Sequence, residues 1–273
     1  MTVGDTALGQ ATRPTRAPVL RLDAGRLRPI VLPVATALAA LALWQVVVMA
    51  LRVPAVLLPA PSDVARELAR NLPLLLEHAV PTGLESLAAF VIAAVLGVAI
   101  AFVLTYSPLL RDVLYPNLVA FQLIPKIALA PLFVIWLGIG SESRLAYATF
   151  ISFFPVVIAT SVGLATTEGD ALRLCRSLTA TTWQAFTLVR FPFALPHIFS
   201  GLKIAVTMAF IGVIVGEFIS AKAGLGFYVL YASSRMETAS IFAAIFVLCV
   251  IGLALFGAVA GAERLVRRWY RGY

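Results

Sequence analysis

Charged residues are scarce in this sequence. They make up 12% of its 273 residues, about half the share expected of a soluble globular domain. Hydrophobic residues make up 61%, and the mean hydropathy is +0.98. This composition excludes a soluble globular protein and predicts an integral membrane protein.

Histidine and cysteine are also rare, with two of each. The histidines are predicted on opposite sides of the membrane and the cysteines in unlike segments, so neither pair indicates a metal site, a disulfide or an acid–base pair. The sequence contains no H-E-x-x-H constellation and no G-x-x-x-x-G-K-[ST] loop to hold nucleotide phosphates. We therefore expect no catalytic residue, no metal and no cofactor bound by this chain.

Six apolar runs are each long enough to cross a bilayer core of about 30 Å as a helix. They cover residues 30–51, 86–106, 113–140, 145–165, 198–219 and 239–262. The predicted fold is an all-α integral membrane protein with about six transmembrane helices, formed by residues 29–273. Residues 62–71 are expected to form a separate short helix at the membrane surface. Residues 1–28 are polar and contain Pro14 and Pro18, which predicts a disordered cytosolic tail.

The net charge of +8 has its explanation in topology. If the N-terminus lies in the cytosol, so do most of the arginines, including those of the tail, the 173–190 segment and the C-terminal end, as the positive-inside rule expects. We infer that both termini are cytosolic. Nucleic-acid binding is rejected, because basic and aromatic residues are not interleaved in any polar domain.

The third run is interrupted by Pro116, Pro125 and Pro131 and should be a kinked or broken helix. It also contains Lys126, whose charge is costly within a bilayer unless it faces a cavity or a partner. A role in a translocation pathway and a structural ion pair both remain open for Lys126. Glu217, near the end of the fifth run, is expected to have a structural or gating role. The candidate pathway residues are Phe121, Gln122, Pro125, Lys126, Met208 and Glu217.

The polar interval between the fourth and fifth runs predicts two short helices. Residues 167–170 resemble a capping box at the start of the first, and the second runs over residues 182–189 and ends at Pro192. Arginines lie at the rim of an apolar face formed by Leu174, Leu178, Trp183 and Phe186. No contact with lipid requires such a helix pair, which indicates a docking surface.

Several motifs, taken in order, resemble the permease subunits of ATP-binding-cassette importers, and more narrowly the nitrate, sulfonate and taurine branch. They are Leu43-Trp44-Gln45, LLPAPSDV at 57–64, QLIPKIALAPLFVIWLGIG at 122–140, FFPVVIAT at 153–160, the 172–203 segment, and Glu217 with AGLG at 223–226. The resemblance covers about 220 positions and implies the type I importer permease fold. It makes residues 166–196 the coupling loop, which docks on an ATPase subunit.

The coupling loop departs from the family pattern. Arg173, Leu174 and Cys175 stand where the family has Glu-Ala-Ala, Thr179 stands at its glycine, and only Pro192 matches literally. We expect the loop to keep its coupling role. The candidate coupling residues are Arg173, Leu174, Cys175, Arg176, Leu178, Thr179, Trp183, Phe186 and Pro192.

The resemblance also implies partners. These are a second permease, expected to be another copy of this chain, two ATP-binding subunits that hold ATP and Mg²⁺, an external solute-binding protein and membrane lipid. The expected location is the bacterial inner membrane, and the expected solute is small and anionic or polar. The alternative is a self-sufficient secondary transporter or channel, although only one strongly interrupted run is visible where such transporters usually show two.

Overall fold

The computed structural model describes residues 24–166 and 169–270, and these contain helices and no strand. A 3₁₀ turn, Lys126–Leu129, precedes α4, and a π-helical turn, Phe186–Arg190, lies between α7 and α8. The helices are α1 Ala24–Ala50, α2 Pro61–Tyr106, α3 Pro108–Gln122, α4 Ala130–Leu137, α5 Ser141–Ala165, α6 Gly169–Ser177, α7 Thr182–Ala185, α8 Phe191–Ser220, α9 Leu225–Ser234 and α10 Thr238–Tyr270.

Five helical stretches are long and apolar enough to span a membrane, and α3 with α4 forms a sixth span if the bent pair is counted as one. The predicted all-α membrane fold is confirmed. The first helix begins at Ala24, within the segment assigned to the tail, and residues 1–23 lie outside the described part of the chain. The ten-residue helix α9, between the fifth and sixth spans, was not predicted.

The predicted short helix at residues 62–71 is present, and a kink at Asn71 joins it to the second span. It is the first part of α2, which is 46 residues long and has a non-helical backbone only at Asn71. The Asp63 carboxylate accepts the backbone N–H of Ala60 at 3.3 Å and thereby caps the helix. The predicted end at Asn71 coincides with this kink, beyond which the helix resumes and contains Pro73.

The core is formed by α2, α5 and α8, which approach one another closely at small residues. A Cβ on Gly97 of α2 would lie 2.7 Å from Val156 of α5, and one on Gly212 of α8 would lie 2.7 Å from Ile151 of α5. Ala93 and Ala101, on the same face of α2 as Gly97, are fully buried. Small residues therefore permit close helix packing, as is usual within membranes.

Helix α1 lies at the edge of this bundle, with its apolar side chains largely exposed. Its contacts with the other helices include Trp44, whose ring centroid is 5.4 Å from that of Phe242 in α10. Gln45 also accepts the backbone N–H of Ser62 at 3.0 Å. Few intramolecular contacts therefore hold α1 in place.

Candidate functional site

The third span is broken at Pro125. Helix α3 ends at Gln122, and the following 3₁₀ turn and α4 leave at an angle of 92°. Proline cannot donate a backbone hydrogen bond, so the helix cannot pass through this residue undisturbed. The predicted interruption is confirmed, and at membrane depth such irregular backbone is tolerated where it is buried in protein or lines a water-filled cavity.

Lys126 follows the break, with its side chain half-buried. Its Nζ lies 5.4 Å from the ring centroid of Phe154 in α5, within the range of a cation–π interaction. Phe121 stacks on the other side of the break against the same ring, with centroids 6.3 Å apart. Within residues 24–166 and 169–270, no carboxylate lies within 4.0 Å of this ammonium group. The ion pair considered for Lys126 therefore has no partner in the described chain.

Two other charged groups in the spans do have partners. Arg144 of α5 makes two hydrogen bonds with Glu85 of α2, at 2.6 and 2.9 Å. Lys203 of α8 forms an ion pair with Glu263 of α10. Paired charges are the usual condition of ionisable residues within a membrane, so Lys126 differs from both of these pairs.

Glu217 lies apart from the break, in the packed interior, with 2% of its surface exposed. Its Oε1 accepts the Thr82 hydroxyl at 2.7 Å and its Oε2 accepts the Gly226 backbone N–H at 2.7 Å. Thr82 in turn accepts the Leu225 N–H at 2.9 Å. Glu217 thus anchors the loop between α8 and α9 to α2, which favours the structural role over the gating role.

Gly224 gives this anchor its shape. Its φ is +110°, and a Cβ there would lie 2.8 Å from Glu217 Oε2 and closer still to other atoms of that carboxylate. The Gly224 N–H donates to His78 Nδ1 at 3.1 Å. We call His78, Thr82, Glu217 and the backbone of residues 224–226 the Glu217 cluster.

The remaining pathway candidates lie near the break. Gln122 is partly buried and Pro125 is exposed. Met208 of α8 is partly buried and packs against the cluster formed by Ala130, Tyr147 and Ile151. The structure therefore gathers Phe121, Gln122, Pro125 and Lys126 at one bend, leaves Met208 on the packed side of α4 and α5, and separates Glu217 from all of them.

The coupling loop has the two predicted short helices, α6 and α7, but the turn between them is formed in an unexpected way. Thr179 adopts φ +55°, the left-handed conformation that the family's glycine would take without strain. The Ala180 N–H donates to the Cys175 carbonyl at 3.0 Å and closes the turn. Thr179, a β-branched residue, thus adopts the left-handed conformation at a cost in free energy of about 1–2 kcal/mol.

The second short helix does not end at Pro192. Helix α7 continues through the π-helical turn into α8, giving one helical run over residues 182–220. Pro192 is the second residue of α8 and directly follows the π-helical turn, where the Phe191 N–H donates to the Phe186 carbonyl and the regular pattern of helical hydrogen bonds is already shifted. The prediction assumed that proline ends a helix, whereas here the π-helical turn before Pro192 allows the helix to continue.

The apolar face predicted for the loop divides into two parts. Leu174, Leu178 and Trp183 are 60%, 69% and 68% exposed, whereas Phe186 is only 8% exposed and packs on Phe102 of α2 at 5.4 Å between ring centroids. Phe186 therefore fixes the loop to the bundle, and the other three side chains remain available for docking.

The remaining coupling candidates differ in exposure. Arg173 is exposed and Cys175 is half-buried. Residues 167 and 168 of the predicted capping box lie outside the described residues, as do the side chains of Asp170 and Arg176.

Thr82 and Phe154 are functional candidates that sequence reasoning missed. Both depend on contacts between helices far apart in sequence, and neither has a local signal. A threonine or a phenylalanine in an apolar run is typical of any spanning helix. The usable signal in the sequence was Glu217, a glutamate in an apolar run, together with Gly224 of the AGLG motif that follows it.

Comparisons with known proteins agree with this geometry. Residues 74–268 match the family model described as binding-protein-dependent transport system inner membrane component. A probable ABC transporter permease protein of Haemophilus influenzae is 36% identical over 79% of this chain and 88% of its own length. The riboflavin transport system permease protein RibX of Chloroflexus aurantiacus is 33% identical over 87% and 89%, and the taurine transport system permease protein TauC of Escherichia coli is 27% identical over 89% and 91%.

Solved structures share the fold. A chain of an amino acid ABC transporter crystallised with histidines superposes with a TM-score of 0.58 at 17% identity, covering 73% of this chain and 95% of that one. A chain of the MetNI methionine ABC transporter, in an inward-facing conformation, gives a TM-score of 0.57 at 19% identity over 71% and 96%.

Proposed function

The chain belongs to the binding-protein-dependent transport system inner membrane component family, and from that premise we propose that its broken third span lines the passage for a small anionic or polar organic solute. The chain is a permease subunit of an ATP-binding-cassette importer in the inner membrane, and ATP hydrolysis is carried out by separate ATPase subunits. Membership of this family removes the alternative of a self-sufficient secondary transporter or channel.

The observation that carries the solute class is the unpaired ammonium group of Lys126. Its position, half-buried beside the 92° bend and 5.4 Å from the Phe154 ring, supports contact with a solute group of negative charge. An ionisable residue within the membrane is by default a functional candidate. The taurine permease TauC and the riboflavin permease RibX show by their names that relatives carry polar organic solutes.

A passage at the bend must be enclosed by protein on a second side. Phe121 and Pro125 lie on the surface of the single chain, so one copy cannot enclose a passage at this point. A second permease supplies the missing side, and we assign that place to another copy of this chain. The thinly attached helix α1 is free to pack on that copy.

Arginines support the orientation with both termini in the cytosol. The coupling-loop end carries Arg111, Arg190, Arg264, Arg267 and Arg268 among its basic residues. At the opposite end, basic residues are balanced by Asp63, Glu85 and Glu237 within ion pairs. The excess of arginine at the coupling-loop end matches the positive-inside rule.

The coupling loop then faces the ATPase subunits. Leu174, Leu178 and Trp183 form its exposed apolar surface, and an aromatic residue in such a patch is a frequent binding anchor. Each of two ATPase subunits, with bound ATP and Mg²⁺, receives one coupling loop. An external binding protein delivers the solute at the Glu217 end.

The test is solute uptake by the complete complex in proteoliposomes, using the solute that copurifies with the binding protein and is identified by mass spectrometry. Lys126→Met should reduce the rate of uptake at least about tenfold, since one charge-assisted hydrogen bond contributes about 1.5–3 kcal/mol. It should leave copurification of the ATPase unchanged. Lys222→Met, which removes an exposed lysine outside the spans, is the matched control and should transport at the wild-type rate. Full transport by Lys126→Met, or a cationic solute, would contradict the proposal.

A further inference from the structure

A cavity of about 160 Å³ lies at the coupling-loop end of the bundle, where α2 ends, α3 begins and α5 ends. Arg111 and Arg190 line it together with Ser161 and Leu172. A second cavity of about 150 Å³ shares Arg190 and Leu172 and extends beneath α6. Two arginine residues therefore line the space under the coupling loop.

Neither arginine is neutralised within the described chain. No carboxylate of residues 24–166 or 169–270 lies within 4.0 Å of Arg111 or Arg190, and neither side chain donates a hydrogen bond to a described acceptor. Two like charges that converge on one cavity repel each other. An anion between them would remove that repulsion.

Arg111 stands where helix electrostatics disfavour it. Helix α3 starts at Pro108, and the Ser107 hydroxyl caps it by accepting the Leu110 N–H at 3.3 Å. Arg111 thus lies in the first turn, beside the positive end of the helix dipole, where an acidic residue would stabilise the helix and a basic one does not. The positive charges of the side chain and of the helix end both attract an anion.

Arg190 is the last residue of the π-helical turn, which the Phe191 N–H closes onto the Phe186 carbonyl. Such turns are rare and occur frequently at functional sites. Here the extra residue lets Phe186 pack inward while Arg190 lines both cavities.

Ser161 also lines the first cavity. Its Oγ is buried, and among the described residues it has no hydrogen-bond partner. A buried hydroxyl without a partner costs about 1–3 kcal/mol, and a ligand that accepts its proton would recover that free energy.

We propose that this cavity binds a phosphate-type oxyanion, held by Arg111 and Arg190 and by the Ser161 hydroxyl. The phosphate of an anionic phospholipid headgroup and free inorganic phosphate share this chemistry, and basic pockets between spanning helices commonly bind such headgroups. The bound anion links the start of α3, and so the broken third span, to the root of the coupling loop. This inference concerns a site remote from Lys126 and does not depend on the transported solute.

The experiment uses the purified complex of the chain with its ATPase subunits. In the lipid arm, native mass spectrometry counts the phosphatidylglycerol molecules that the complex retains from mixed phosphatidylglycerol and phosphatidylcholine micelles. In the free-anion arm, the complex is placed in phosphatidylcholine nanodiscs, and its Tm is followed as sodium phosphate replaces sodium chloride at constant ionic strength.

The variant Arg111→Gln with Arg190→Gln should bind at least about tenfold more weakly in one of the two arms, because it loses two charge-assisted contacts. Arg264→Gln with Arg268→Gln removes the same charge from the same end outside the cavity and should bind as the wild type does. An effect in the first arm identifies a lipid headgroup, and an effect in the second alone identifies free phosphate.

Equal binding by the two double variants in both arms would overturn the proposal. If the glutamine variant at 111 and 190 does not assemble with the ATPase, Ser161→Ala decides, because it keeps both charges and removes one donor. We expect Ser161→Ala to weaken binding about three- to tenfold, and unchanged binding would count against the site.

Discussion

The two ends of the bundle are built in opposite ways. At one end, the Glu217 cluster joins α2, α8 and α9 through short hydrogen bonds among buried groups. At the other end, the coupling loop exposes Leu178 and Trp183, contains a strained Thr179 and covers open cavities. A transporter needs one part that keeps its shape and another that can be moved, and this contrast fits the docking role proposed for the coupling loop.

One helical run connects the ends. Residues 182–220 are helical throughout, from α7 through the π-helical turn to the end of α8. At about 1.5 Å per residue such a run is nearly 60 Å long. Glu217 lies in its last turn, so a displacement at Trp183 can reach the Glu217 cluster along a single element.

The largest effect on stability is expected at Gly224. Gly224 and Gly138 both have a left-handed φ, +110° and +83°, but a Cβ on Gly138 would have nothing within 4 Å. We expect Gly224→Ala to lower the free energy of unfolding by about 3 kcal/mol or more, from overpacking added to backbone strain. Gly138→Ala should cost only about 1–2 kcal/mol. Detergent-induced unfolding of the purified complex measures both, and equal losses would show that crowding by Glu217 is unimportant.

The next effect is expected at Glu217 itself. Glu217→Ala leaves the Thr82 hydroxyl and the Gly226 N–H without their acceptor, which should lower the free energy of unfolding by about 2–3 kcal/mol. Glu142→Ala, in the exposed first turn of α5, should change it by about 0.5 kcal/mol. The same unfolding assay compares the two. A small loss at Glu217 would mean that the cluster is not what holds this end together.

Smaller effects of opposite sign are expected at two threonines in the coupling loop. Thr179→Gly removes left-handed strain and should raise the free energy of unfolding by about 0.5–1 kcal/mol. Thr181→Ala removes the hydroxyl that caps α7 by accepting the Gln184 N–H at 3.2 Å, and should lower it by about 1 kcal/mol. Protection of this segment in hydrogen exchange reports both changes. A loss of protection in Thr179→Gly would argue against the strain.

The smallest effect on stability is expected at Trp183, where function should change instead. The Trp183 ring stacks on Phe186 at 5.9 Å between centroids, but the side chain is 68% exposed, so Trp183→Ala should alter the free energy of unfolding by only about 0.5 kcal/mol. ATP hydrolysis stimulated by the binding protein should nevertheless fall at least about tenfold, as expected for a docking anchor. Trp269→Ala, which is more exposed and lies at the same end outside the loop, should leave hydrolysis unchanged. Equal rates of hydrolysis in the two variants would show that Trp183 is not an anchor for docking on the ATPase.

The spans could be predicted because membrane thickness imposes a length and a composition that each helix shows by itself. The broken third span was predictable for the same local reason, since Pro125 acts on its own backbone. That the helices continue past Asn71 and past Pro192 could not be predicted. Whether Asn71 and Pro192 end a helix or only distort it depends on the neighbouring turns and on the packing of Phe186, which no short window of sequence contains.

The candidate site was predicted to a similar extent. Lys126 was found because a charge in an apolar run is visible in the sequence, but its aromatic partner Phe154 lies in another helix. Glu217 was identified for its charge, and its structural role emerged only from contacts with Thr82 and Gly226, the former 135 residues away in sequence. Thr179 is a different case, because it adopts the left-handed conformation that glycine, the family's residue at this position, would suit better.

The unpaired ammonium group of Lys126 has a consequence for the ion gradients across the membrane. An opening wide enough for an organic solute is also wide enough for sodium, potassium and hydrated protons, whose leakage would dissipate the electrochemical gradients. A fixed positive charge at the bend raises the electrostatic free energy of every small cation there, as basic residues do in selective pores. The positive charge proposed to attract an anionic solute would thus also oppose the leakage of small cations.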